Sequence, residues 1–222
     1  MSREVVKMRL LLICILNVLV ACIVFAQSKT TKKNPLQNLL QRTVVAYEER
    51  SLTTPEAFHA SLNLARVPGG MVTIIGCEED KLKKNWNPQG QPLGQVLNEI
   101  VGADKNYRWE TQDDAINLLP TSGEPLLLQT RVGEFNVTTR SSLDALSELE
   151  KRTEVKAAMI NLHLKGGLTI IMYSPSPTEF SVRFKGGTLR QALNAIAVLR
   201  ETDVWDYREI HCGEQNEVAI RF

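Results

Sequence analysis

One eight-residue pattern occurs twice in this chain and constrains what surrounds it. Leu93–Ile100 reads L-G-Q-V-L-N-E-I and Leu189–Ile196 reads L-R-Q-A-L-N-A-I, 96 positions apart. In each copy the apolar residues fall at i, i+3, i+4 and i+7, the spacing that lines one face of an α-helix. Gly90 precedes the first copy and Gly186 the second at the same offset. A helix that returns together with its entry turn implies an internal duplication. The predicted fold is α+β: two tandem small βαββαβ-like units, residues 43–120 and 126–222, behind an N-terminal signal or anchor segment.

That N-terminal segment is residues 1–26. Arg3, Lys7 and Arg9 stand against one acid, Glu4, and a charge-free run follows from Leu10 to Ala26. This is the composition of a secretory signal peptide, with Val24-Phe25-Ala26 suited to cleavage before Gln27. The run also reaches the lower length limit of a membrane span, so an uncleaved anchor is the alternative. Leu19-Val20-Ala21-Cys22 in addition resembles a bacterial lipobox, which would make Cys22 a lipidation site. Residues 27–42 carry Lys29, Lys32, Lys33 and Pro35 and read as a basic linker, with Leu36, Leu39 and Leu40 spaced for one helical turn. The chain is therefore expected outside the cytoplasm: periplasmic, at the outer surface or membrane-anchored, in a bacterial envelope. Any membrane contact would run through the N-terminal segment only.

The body is near neutral. The whole chain carries +1, of which residues 1–26 contribute +2. That gives no electrostatic case for binding nucleic acid. With 43% hydrophobic residues the chain can bury substantial cores.

Each unit shows the same order of local signals. Thr53-Thr54-Pro55-Glu56 is a helix start with a capping box, and the helix should run to about Arg66, where Pro68-Gly69-Gly70 stops it. Met71–Ile75 reads as a buried strand. The organising helix spans Pro92–Val101. Tyr107–Trp109 and Ile116–Leu118 flank the polar turn Gln112-Asp113-Asp114 as a hairpin. Pro120–Pro125 is the boundary. In the second unit Phe135–Val137 is a strand, Ser141 with Asp144 starts a helix that continues through Ala157 and Ala158, and Leu168–Ile171 answers the earlier buried strand. Phe180–Phe184 alternates as a strand, Thr188 caps the repeated helix with Gln191, and Trp205–Tyr207 opens the last hairpin around Gly213.

No catalytic set emerges. The histidines, His59, His163 and His211, lack zinc-motif spacing, and the chain has no G-x-S-x-G, P-loop or dinucleotide fingerprint. Glu78-Glu79-Asp80 lacks the alternating oxygens of a calcium loop. His211-Cys212 would point to opposite faces if on a strand. The reading is a non-enzyme without metal or cofactor. Cys77 and Cys212 are the thiols left once a leader is removed. In an oxidising compartment they would form one disulfide across the two units, the alternative being two unrelated cysteines. Tyr107 with Trp109, and Trp205 with Tyr207, lie two apart and so share a strand face. They read either as core cover for the repeated helix or, with Trp86, as contacts for a partner.

The element order, with Gly-x-x-Leu-x-x-Ala/Val-Leu ahead of an aromatic hairpin, resembles the short N-terminal domain of secretins and TonB-dependent receptors. Residues 43–120 look like one copy and residues 126–222 like a divergent second. The resemblance implies a small βαββαβ fold and a role in contacting other proteins of an envelope machine. Because no barrel or secretin ring region follows, a pore or receptor function does not carry over. The function so implied is an exported envelope module that binds a protein partner, in an oligomeric state the sequence leaves open. The alternative is a periplasmic small-ligand or glycan binder using a groove between the units.

Overall fold

The computed structural model describes residues 35–45, 50–77, 83–166, 178–200, 202–213 and 215–222. Residues 1–26 with Cys22, the acidic triplet at 78–80 and the strand predicted at 168–171 lie outside the described residues. Pro35–Phe222 forms one unit, and its fold is of mixed α+β class.

The capping boxes predicted from sequence are present. Helix α1 (Pro35–Leu40) and strand β1 (Arg50–Leu52) lead into α2 (Thr54–Ala65). The hydroxyl of Thr53 accepts from the Glu56 amide, and the Glu56 carboxylate accepts from the Thr53 amide. The chain leaves α2 through Arg66 in the left-handed region, φ 53°. It then forms β2 (Gly69–Gly76), β3 (Lys84–Trp86) and the first repeated helix, α3 (Leu93–Ala103). Strands β4 (Tyr107–Gln112) and β5 (Ala115–Pro120) follow as a hairpin. Asp113 and Asp114 both take positive φ, which a two-residue turn matched to strand twist requires.

Beyond β6 (Arg131–Val132) and β7 (Phe135–Thr139), the single long helix expected from Leu143 is two helices, α4 (Ser142–Glu150) and α5 (Thr153–Asn161). The break falls at Arg152, whose backbone is extended at ψ 134° and whose guanidinium donates to the Glu134 carbonyl oxygen at 3.0 Å. That long-range anchor redirects the chain where local periodicity would have continued it. Then come β8 (Lys165–Gly166), β9 (Phe180–Phe184), β10 (Gly187–Thr188), the second repeated helix α6 (Leu189–Leu199), and the hairpin β11 (Val204–Cys212) with β12 (Gln215–Arg221).

Strands from both sequence halves join one six-stranded sheet in the order β4-β5-β2-β11-β12-β8. β2 runs parallel to β5 on one side and to β11 on the other; β12 runs parallel to β8. Helices cover both faces. Met71, Leu118 and Val204 pack with α2 and α3, whereas Val72, Leu119, Trp205 and Tyr207 pack with α4 and α6. Successive residues of a strand point to opposite faces, so these sets are the two sides of one sheet. This is why β5 is buried along its whole length while β4, on the rim, has no fully buried residue. Among the described residues no helix is long and apolar enough to cross a membrane.

Candidate functional site

The two repeated helices bury the same stripe: Leu93, Val96, Leu97 and Ile100 on α3, and Leu189, Ala192, Leu193 and Ile196 on α6. Each also presents an asparagine to the tryptophan of the hairpin that follows. Trp109 Nε1 donates to Asn98 Oδ1 at 3.0 Å, and Trp205 Nε1 donates to Asn194 Oδ1 at 2.9 Å. Tryptophan and asparagine are eleven residues apart in both cases.

The surroundings of the two pairs differ. Asn194 and Trp205 are wholly buried. Strand β2 runs alongside β11, and Gly70 lies against the Trp205 indole so closely that a Cβ there would sit 1.8 Å from a ring atom. Asn117 on β5 exchanges two hydrogen bonds with Asn194, both at 3.0 Å, and Asn194 donates to the Gln112 carbonyl oxygen at 3.2 Å. Arg190, also buried, reaches Glu110 at 2.7 Å and Glu124 at 3.0 Å, while Arg108 pairs with Glu110 from the other side. Burial by itself would raise Glu110, but the hydrogen bonds and charges of Arg190 and Arg108 hold it below the usual carboxylate range. Burial raises Glu124, with Arg190 only partly offsetting it.

The first pair is open. Asn98 is exposed and Trp109 half-buried. Among the described residues β4 pairs only with β5. A shallow groove of about 600 Å³ runs along α3 past Gly94, Gln95, Asn98, Glu99 and Trp109. Tyr107 and Trp86 are half-buried against the α2–α3 core, and Trp86 Nε1 donates to the Leu52 carbonyl oxygen at 3.4 Å. The five aromatic residues singled out from sequence therefore separate. Trp109, Tyr107 and Trp86 keep some surface; Trp205 and Tyr207 are wholly buried core residues and offer none. The Tyr207 hydroxyl donates to Glu209, and burial followed by that carboxylate pushes the phenol up.

Cys77 and Cys212 are joined as a disulfide, their Cα atoms 4.7 Å apart. The parallel register that sets His211 opposite Gly76 brings the next residues, the two cysteines, level with each other. The histidines lie on separate elements. His59 on α2 meets Asn63, and burial lowers its imidazole, with Asp206 pulling it up and Arg208 pushing it down. His211 pairs with Glu209 and Asn216, and His163 sits in a left-handed turn.

Sequence reasoning did not anticipate that His59, Ser142 and Asp203 line one depression of about 290 Å³. They do not form a nucleophilic triad, because the Ser142 hydroxyl donates straight to Asp203 and no imidazole stands between them. A separate cavity of about 30 Å³ is walled by Leu127, Leu146, Leu149, Val155 and Met159. It has room for no more than a water or two, and Glu150 is the one charged residue in an otherwise apolar lining. Among the described residues no cluster of three or more His, Cys, Asp or Glu is placed to hold a metal.

Comparison with known protein families, with curated protein sequences and with solved structures finds no match to this chain.

Proposed function

We propose that this chain is a non-enzymatic module of the cell envelope, exported or anchored through its N-terminal segment, which binds a protein partner along strand β4 and the outer face of α3. In this reading residues 43–120 and 126–222 are duplicated units, similar in kind to the short N-terminal domain of secretins and TonB-dependent receptors. One observation carries it: the Asn194–Trp205 face is closed by a strand lying beside its hairpin, whereas the matching Asn98–Trp109 face is open.

Further contacts support the duplication. Thr43 bridges Pro92 ahead of α3, and Arg131 pairs with Thr188 ahead of α6. The Leu93 amide donates to the Arg42 carbonyl oxygen, and the Leu189 amide to that of Thr130, each at 2.8 Å. Partner strands commonly add to such a free sheet edge.

The test is site-specific photocrosslinking in the native envelope from Arg108 and Thr111, both exposed on β4, with exposed Lys156 on α5 as control. Protein adducts from the β4 positions and none from Lys156 are expected; the reverse pattern would overturn the surface assignment. Mass spectrometry of the N-terminal peptide runs alongside. A start at Gln27, a modified Cys22 or an intact leader in the membrane fraction fits export, and an unprocessed cytoplasmic chain does not.

A further inference from the structure

The sheet also indicates what would lie on that open edge. Resting on the protein-binding reading above, we propose that the partner is a second copy of this chain, docked head to tail, with β8 of one copy running parallel to β4 of the next.

The argument is one of equivalent positions. The sheet is two blocks in series, β4-β5-β2 and β11-β12-β8, each an antiparallel hairpin followed by a strand parallel to the hairpin's second strand. From the pairings, β4 runs one way with β5 and β2 opposed to it, and β11 runs the other way with β12 and β8 opposed to it. The first block's helices lie on one face of the sheet and the second block's on the other. The operation relating the blocks is thus a half-turn with a shift along the sheet. Such an operation does not close on itself, so it leaves half a junction at each end, and interfaces of this kind continue as filaments or close as rings.

The chain makes that junction once, between β2 and β11. At its ends lie the two complementary edges, β8, with no partner beyond β12 among the described residues, and β4.

The register can be carried across. Gly69 stands opposite Ile116 and Gly166 opposite Val218. On either glycine a Cβ would meet the carbonyl oxygen of the residue opposite at 2.3 Å, which marks them as the same position in the two blocks. Inside the chain Gly69 faces Val204, the residue before Trp205. Between copies Gly166 would face Arg108, the residue before Trp109. α3 would then lie over β12 as α6 lies over β5, bringing Asn98 to Ala219, the counterpart of Asn117. It also brings the exposed carboxylate of Glu99 toward Arg221, which sits on the same face of β12 and whose buried Nε has no hydrogen-bond partner. Because alanine replaces the internal asparagine, this junction is weaker than the internal one, and association should depend on concentration.

The test uses the full chain with a benzophenone amino acid at Arg108, mixing unlabelled and ¹⁵N-labelled protein so that adducts between chains are identified by mass. An interchain adduct from position 108 to peptides containing Lys165 or Ala219, with a sedimenting mass that rises with concentration, is expected. Adducts from β4 to β4 would mean a symmetric dimer and overturn the proposal, as would a single monomeric species without interchain adducts. If in cells position 108 instead crosslinks only a different protein, the second copy is refuted while the protein-binding reading stands. If it crosslinks nothing, both fall.

Discussion

Replacing Asn194 by leucine should be far more damaging than the same change at Asn98, although both asparagines accept from a tryptophan in the same local sequence. Asn194 is buried and uses its full capacity: it accepts from Trp205 and Asn117 and donates to Asn117 and Gln112. Leucine of similar volume fills the space but leaves three buried groups, the indole N–H and both ends of the Asn117 amide, without partners, whereas Gln112 is only half-buried. At the low end of about 1 kcal/mol per orphaned buried group, the loss is about 3 kcal/mol. That is a large share of the 5–15 kcal/mol typical of a whole domain. At roughly 2–4 °C per kcal/mol for a chain of this size, Tm should fall by about 6–12 °C. Asn98 is exposed, so water can take over the Trp109 N–H, and Asn98→Leu should cost less than about 1 kcal/mol. Urea unfolding of both variants, with the disulfide intact and m-values compared, gives the two numbers. The double variant Asn117→Leu/Asn194→Leu should cost less than the sum of its singles, because removing both ends of an exchanged pair leaves fewer orphans. Equal costs at Asn98 and Asn194, or strict additivity at Asn117 and Asn194, would refute the argument that burial by β2 separates the two asparagine–tryptophan pairs.

Gly70→Ala places a Cβ within the Trp205 ring and should cost at least about 2 kcal/mol by thermal unfolding, whereas Gly102→Ala, with open space around it, should be neutral or stabilising. Cys77 and Cys212 should resist maleimide until reduced. Reduction should lower stability by up to about 5 kcal/mol, since the crosslink spans 135 residues. Glu110 is held below its ordinary range, so its contribution is present above the unfolded carboxylate pKa of about 4.3 and lost as pH falls through the folded value. Glu110→Gln should therefore flatten the acid-side loss of stability in urea midpoints. Glu124, which is raised, contributes in the opposite sense: its part is full below the unfolded value and lost as pH rises through the folded one. Glu124→Gln should accordingly steepen the acid-side loss.

What the sequence made legible was local. The i, i+3, i+4, i+7 stripes of α3 and α6, the Thr53–Glu56 and Thr188–Gln191 capping boxes and the Asp113-Asp114 turn are all written within one or two turns of chain, and the structure has them. Contacts across the two halves left no such trace. Tyr107–Trp109 and Trp205–Tyr207 have the same spacing, and only the parallel pairing of β2 with β11 makes the second pair core and leaves the first near the surface. Arg190 stands next to the apolar stripe, where a charged residue ordinarily meets solvent. It is buried because Glu110 and Glu124, some 65 to 80 residues earlier, cover it. The split between α4 and α5 likewise depends on Arg152 reaching back to Glu134.

The polar residues on α6 further define the character of the open edge. The groups that the Asn194 and Arg190 side chains bond other than Trp205, namely those of Gln112, Asn117, Glu110 and Glu124, all precede Pro125. The first half thus supplies the polar complement without which burying α6 on that side would leave an arginine and an asparagine stranded, a loss of several kcal/mol. On α3 the matching positions are Gly94 and Asn98, with Gln95 and Glu99 exposed beside them. Such a face lacks the apolar area that holds permanent subunits together, and it asks a partner for backbone pairing along β4 and a few hydrogen bonds. An interface of that kind is expected to be small and reversible. It should be lost when the β4 edge is blocked and be little affected by changes in the two cores beneath it.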